Sequence, residues 1–181
     1  MMFEPTAIDG LWAIRLQRFS DERGSFARLF AADAFAARGL PDVFVQCSLS
    51  VTRAAGTVRG MHFQRSPHGE VKLVRCVRGA IHDVIVDLRP GSPTCRRWQA
   101  FTLAHDNDLA LCIPRGCAHG FQALRDDCEV LYHMDTGFAP DHADGVRFDD
   151  PALAIDWPLP VGVVSAKDRA WKLLDAITAT A

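Results

Sequence analysis

Three short segments crowd reactive side chains into otherwise apolar sequence. Arg59-Gly60-Met61-His62-Phe63-Gln64 is followed, ten residues after His62, by Lys72. Pro114-Arg115-Gly116-Cys117-Ala118-His119-Gly120-Phe121 reads as a turn leading into a strand, and the third segment surrounds Tyr132, the only tyrosine in the chain. Imidazole, ammonium and phenol groups are suited to moving protons and to holding developing negative charge. Lys72 stands among Val71, Leu73 and Val74, a buried-strand pattern, and lysine is almost never fully buried without a partner. Strand alternation puts it on the face of Val74 and Cys76, so it points either into a lined cavity or to solvent. The bland reading of His82, His105 and His142 is a half-buried ring with a satisfied hydrogen bond.

Other chemistries fit less well. A β-barrel metal site built on His62, His119 and nearby carboxylates needs closely paired ligands, such as a histidine-x-histidine unit with a nearby glutamate, and position 64 is glutamine. No serine sits in a G-x-S-x-G turn, and neither a G-x-G-x-x-G nor a Walker loop occurs.

The elements that must position these groups are mostly strands. Val71 to Val77 and Ala80 to Leu88 are rich in valine and isoleucine and are separated by Arg78-Gly79, which predicts a β-hairpin. Further strands are predicted at Leu11 to Leu16, Phe44 to Val51, Trp98 to Leu103, Leu109 to Ile113 and Glu129 to Met134, with turn-forming residues between them. Helix is predicted only at Ala31 to Arg38, closed by Gly39 before Pro41, and at Asp168 to Ile177. Many short strands and little helix indicate a β-sandwich or small barrel and argue against a βαβ sheet.

The 181 residues fit one domain, 1–181, able to bury about 70% of the unfolded surface. Apolar and charged fractions of 49% and 23% are those of a globular chain, not a disordered one or a coiled coil. Twenty basic and twenty-two acidic side chains give a net charge of -2, against a dedicated nucleic-acid surface. The six cysteines contain no C-x-x-C pair, and most read as small core residues. The first ten residues carry Glu4 and Asp9 and do not resemble a secretory signal, and no apolar run approaches the ~18 residues of a membrane span. A reduced, cytoplasmic setting without membrane contact is the expectation.

Taken in order, several stretches resemble the dTDP-4-dehydrorhamnose 3,5-epimerase family. They are Asp21-Glu22-Arg23-Gly24-Ser25-Phe26, Phe44-Val45-Gln46, Val58 to Gln64, Lys72-Leu73-Val74-Arg75, and Asp83 to Arg89 followed by Ser92-Pro93-Thr94. Ile113 to Phe121, Asp149-Asp150-Pro151 and Ser165-Ala166-Lys167-Asp168 complete the series. The resemblance implies an all-β, cupin-type jelly-roll β-barrel with short peripheral helices. It also implies a homodimer and a metal-free, cofactor-free isomerase acting on a nucleotide-diphosphate sugar. In this family both carbons beside the ketone of a thymidine-diphosphate 4-keto-6-deoxy sugar are inverted.

By motif position the resemblance makes His62 the general base, Asp168 its orienting carboxylate, Lys72 the stabiliser of the enolate oxygen and Tyr132 the acid on the opposite ring face. It gives Arg23, Arg59, His119 and Lys167 to the nucleotide or diphosphate, with Phe26 and Gln46 nearby and Arg23 reaching into the partner's site. The chain departs from the family pattern at Arg28 and Ala143, where glutamates are usual, at Ser48 in place of asparagine, and at Phe138 in place of a second tyrosine. Those positions are expected to contact nucleotide or sugar and to bear on specificity. The rival readings are a one-carbon epimerase, an epimerase for another nucleotide carrier, and a catalytically silent cupin that binds a nucleotide sugar. Retention of base, acid, lysine and carboxylate together disfavours the last.

Overall fold

The computed structural model describes residues 1–175. Thirteen strands are present among them: β1 (Met2–Pro5), β2 (Trp12–Arg15), β3 (Arg18–Asp21), β4 (Gly24–Ala27), β5 (Gln46–Thr52), β6 (Val58–Gln64), β7 (Lys72–Arg78), β8 (Ala80–Asp87), β9 (Trp98–Ala104), β10 (Leu109–Ile113), β11 (Cys117–Ala123), β12 (Cys128–Met134) and β13 (Ala143–Gly145). Two short helices, α1 (Ala32–Ala36) and α2 (Ala166–Arg169), and one 3₁₀ turn (Pro140–His142) lie outside them. The strands form a six-stranded sheet ordered β1-β2-β10-β7-β12-β5 and a five-stranded sheet ordered β13-β6-β11-β8-β9, with β3-β4 apart as a two-stranded hairpin. This is the jelly-roll barrel expected from the sequence.

Strand alternation sorts the side chains. Val74, Cys76, Leu109, Leu111 and Val130 from one sheet meet Ile81, Ile85, Leu103 and Phe121 from the other in the interior core. The outer face of the first sheet is covered by Phe35 of α1 with Phe3, Phe30 and Phe44, and that of the second by Val146, Leu153 and Leu174. Four cysteines, Cys76, Cys112, Cys117 and Cys128, are buried free thiols. Asp87, fully buried, accepts from Arg89 Nε at 2.8 Å, Ser92 Oγ at 2.5 Å and Thr94 Oγ1 at 2.7 Å, closing the loop after β8.

The predicted hairpin across Arg78-Gly79 is not one. β7 pairs with β10 and β12, whereas β8 pairs with β9 and β11, so the chain crosses from one sheet to the other at Gly79. The physical reason is that both strands carry an apolar inward face, and facing each other across the core buries both. Gly79 sits at φ +74°, where a Cβ would meet Cys128 Sγ at 2.7 Å, so the corner needs glycine. The helix predicted over 31–38 forms at Ala32–Ala36, with Gly39 at φ +68° just beyond. The one predicted from Asp168 begins two residues earlier and breaks at Ala170, and the end of that prediction falls outside the described residues.

Candidate active site

β6 and β11 run antiparallel with His62 opposite His119 in the register. The pairing shifts just beyond, between His119 and Phe121, where Gly60 and Gly120 pack backbone to backbone; a Cβ on Gly60 would lie 2.6 Å from Gly120 Cα. Glycine at both positions lets two functional strands approach and bulge. Both histidines thereby line one cavity of about 590 Å³ inside the barrel.

His62 Nε2 lies 2.6 Å from Asp168 Oδ1. Asp168 reaches it because Ser165 caps α2, its Oγ accepting the Asp168 N–H at 3.0 Å. A carboxylate at that place in a capping box usually turns back to the cap's own N–H. Here it faces His62 and also accepts from Gly60 N–H at 3.4 Å and Trp171 Nε1–H at 3.3 Å. Burial works to raise the Asp168 carboxyl, but these donors and the His62 charge together hold it below the usual carboxylate range. An ionised Asp168 fixes Nε2 as the donor and leaves Nδ1 as the basic nitrogen.

Of the two orientations open to Lys72, the structure shows the inward one.

 Its Nζ lies 2.9 Å from Glu70 Oε1 and donates to the backbone oxygen of His62 at 3.1 Å, so the ammonium is tied to the strand that carries the imidazole. Tyr132, on β12, lines the same cavity, with its ring 6.0 Å from that of His119. Burial, reinforced by the charge of Asp83 and opposed by Arg59, pushes its phenol far above the ordinary range, so the hydroxyl keeps its proton. His119 Nε2 lies 2.7 Å from Asp83 Oδ1, and this second imidazole–carboxylate pair is almost wholly buried.

Gln64, where a metal cupin would place a second histidine, uses its amide on backbone. Nε2 donates to His68 O at 3.0 Å and Gly137 O at 3.3 Å, while Oε1 accepts from Ala139 N–H at 2.6 Å. One buried side chain thus ties two loops at the cavity rim. Among the described residues no group of three or more His, Cys, Asp or Glu is placed to hold a metal ion.

The structure brings His62, Lys72, Tyr132, Asp168, Gln46, Arg59, His119, Phe138 and Lys167 to one cavity, together with Ala143. Arg59 is braced at the rim by Thr52 Oγ1 and Val51 O, and Lys167 Nζ lies 5.2 Å from the Trp171 ring centre. Ser48 accepts from Gln46 Nε2 at 3.3 Å and stands behind the lining. Arg23, Phe26 and Arg28 are exposed, on or just after the β3-β4 hairpin, away from the cavity of their own chain. Arg18 clasps Asp108 at the hairpin's base, while Arg23 pairs with Asp21 at its tip. Of the three bland histidines, His105 bonds Gly79 O and His142 stacks on His68, but His82 Nε2 is buried without a hydrogen-bond partner.

Sequence reasoning missed Glu70, Asp83 and Trp171. The signals were present: Glu70 precedes Lys72 by two residues and shares its inward face, and Asp83 interrupts an apolar strand. Trp171 follows Asp168 by three residues, one helical turn away.

A family model described as dTDP-4-dehydrorhamnose 3,5-epimerase matches residues 5–176. A protein of that name from Methanothermobacter thermautotrophicus is 43% identical over 95% of this chain and 94% of its own length. A dTDP-4-dehydrorhamnose 3-epimerase from Streptomyces niveus is 40% identical over 96% of this chain and 84% of its own. Among solved structures, a 4-keto-6-deoxy sugar epimerase from Streptomyces spheroides superposes with TM-score 0.95 at 39% identity, covering 99% of this chain and 90% of that one. A Legionella pneumophila epimerase in complex with dTDP-4-keto-L-rhamnose superposes with TM-score 0.92 at 38% identity, covering 99% and 95%. With a family match over nearly the whole length and relatives above 40% identity, this chain belongs to the dTDP-4-dehydrorhamnose 3,5-epimerase family.

Proposed function

We propose that this chain inverts both carbons beside the ketone of a dTDP-linked 4-keto-6-deoxy sugar, converting dTDP-4-dehydro-6-deoxy-D-glucose to dTDP-4-dehydro-L-rhamnose. The observation that carries the reading is the His62–Asp168 pair at 2.6 Å, with the Lys72 ammonium 3.1 Å from the His62 carbonyl and Tyr132 in the same cavity. A ketone acidifies the neighbouring C–H bonds because the carbanion delocalises onto oxygen. His62 Nδ1 takes that proton, Lys72 holds the enolate oxygen, and Tyr132 returns a proton to carbon from the other face. Each cycle leaves an imidazolium and a phenolate, and one proton passed between them through solvent resets the site. A positioned base or acid contributes roughly 10²–10⁴-fold, and a fixed charge at the oxyanion adds a comparable factor.

No redox step is involved, and these side chains supply base, acid and oxyanion partner without a metal or cofactor. Arg59, Lys167 and His119 are assigned to the diphosphate and nucleotide. The test is solvent-deuterium incorporation into the substrate, which is expected at both carbons and only with His62 present. The name of the Streptomyces niveus relative supports a second reading in which one carbon alone is inverted. Deuterium confined to C3 would establish it.

A second copy of the chain completes the site in this reading. Phe19 and Phe26, paired across the β3-β4 hairpin, are 59% and 65% exposed, and β5 ends its sheet with Val45, Leu49 and Val51 facing outward. Exposed apolar residues beside an open sheet edge favour association with another copy. The hairpin would then carry Arg23 to the partner's cavity. Light scattering should give a dimer, and Arg23→Ala should raise KM more than it lowers kcat. The free cysteines support a reducing, cytoplasmic location.

A further inference from the structure

We infer that Glu70 is a positioning residue for the epimerisation, a buried carboxylate that keeps Lys72 both charged and aimed at the enolate oxygen. The inference rests on the reading of Lys72 given above. The two side chains are 2.9 Å apart and only 10% and 12% exposed, and both line the cavity. An ammonium withdrawn this far from water needs a counter-charge or loses its proton.

Glu70 is itself held on a short rail. The preceding carbonyl, Gly69 O, accepts from Arg115 Nε at 3.1 Å and Thr136 Oγ1 at 3.2 Å. The following amide, Val71 N–H, donates to Asp135 Oδ1 at 2.8 Å, and Asp135 is in turn paired with Arg115. The backbone on both sides of Glu70 is therefore fixed, which fixes the origin of its side chain. Lys72 Nζ has one further anchor, the carbonyl oxygen of His62. Glu70 and His62 O together leave a third ammonium proton for the substrate oxygen.

Other groups around Lys72 do not supply the counter-charge. Its register neighbours are Ile113 on β10 and Met134 on β12, both apolar. Cys117, from β11, has its thiol pushed up to about 12 by burial and stays neutral. His62 faces it from β6, but the carboxylate behind that ring, Asp168, is engaged by His62, Gly60 and Trp171. The paired Asp135 and Arg115 serve the backbone beside Glu70. Glu70 is thus the carboxylate that balances the ammonium.

The experiment measures substrate deuterium exchange against pH for wild type, Glu70→Gln, Glu70→Asp and Lys72→Met, with thermal melts of each. In Glu70→Gln the alkaline fall in kcat is expected to move down by about one pH unit or more, because the ammonium has lost its counter-charge. The loss in Glu70→Gln should be smaller at pH 6 than at pH 9, with Glu70→Asp between Glu70→Gln and wild type. Lys72→Met should be slow at every pH. A Glu70→Gln profile that superposes on wild type, or falls equally at all pH values, overturns the inference while leaving the epimerase reading intact. If Glu70→Gln fails to fold, Glu70→Asp decides: a displaced alkaline fall supports the inference and a wild-type profile overturns it. Wild type without exchange overturns both the inference and the reading beneath it.

Discussion

His62 and His119 are direct partners in the β6-β11 register, and each holds its Nε2 against a different carboxylate, 2.6 Å to Asp168 and 2.7 Å to Asp83. The two pairs differ in access. The His62 side chain is 43% exposed and that of His119 only 5%, which is why the proposed reaction gives proton exchange with the substrate to His62. Asp168→Asn should slow exchange by ~10²-fold or more while the melting temperature changes little. Asp83→Asn should destabilise the fold by about 1–3 kcal/mol, because it breaks a hydrogen-bonded pair inside the core. Calorimetry and exchange rates on both variants check the contrast; equal loss of rate without loss of stability would contradict it.

Tyr132→Phe should separate abstraction from inversion. Deuterium still enters from the His62 side with retained configuration, while the inverted sugar accumulates ~10²-fold more slowly. Because the phenol is held far above its ordinary range, it stays protonated through neutral and mildly alkaline pH, and no alkaline fall in wild-type rate should disappear in Tyr132→Phe. Inversion at the wild-type rate would show that water or another group delivers the proton.

Burial works to raise the Asp87 carboxyl, but Arg89, Ser92 and Thr94 outweigh it and hold the group well below the usual range. A depressed carboxylate contributes stability that is fully present above its unfolded value and is lost as pH falls through its folded value. Asp87→Asn should therefore lower the unfolding free energy at pH 7 by about 1–3 kcal/mol. Urea titrations from pH 7 to pH 2 should show the gap to wild type closing only below the ordinary carboxylate range.

Gln64 makes a separate expectation about metals. Exhaustive chelation should leave turnover unchanged, and Gln64→Ala should raise KM by freeing the loops at His68, Gly137 and Ala139. Loss of activity on chelation, restored by zinc or iron, would contradict the account.

Much of the scaffold was legible because strand alternation is a local property. Leu109–Ile113 has the bounds read from its residues, and Lys72 shares an inward face with Val74 as the alternation required. Pairing is not local: β7 and β8 are joined by Gly79 alone yet belong to different sheets, since facing across the core satisfies both apolar faces at once. The same limit applied to the site. His62 and Lys72 carried a visible chemical signal, whereas Glu70 and Asp83 matter through partners that only the folded chain identifies. The hairpin residues Arg23, Phe26 and Arg28 stand outside the cavity that holds His62 in their own chain, so the place the resemblance gave them at the substrate depends on the association proposed above.

The most direct test of the central claim is incubation of dTDP-4-dehydro-6-deoxy-D-glucose with the protein in heavy water, read by mass and by position. The account predicts deuterium at C3 and C5 with inversion at both carbons, and a fall of ~10²-fold or more in His62→Ala with nucleotide-sugar binding within about 1–2 kcal/mol of wild type. Exchange in His62→Ala at a rate near that of wild type would contradict it.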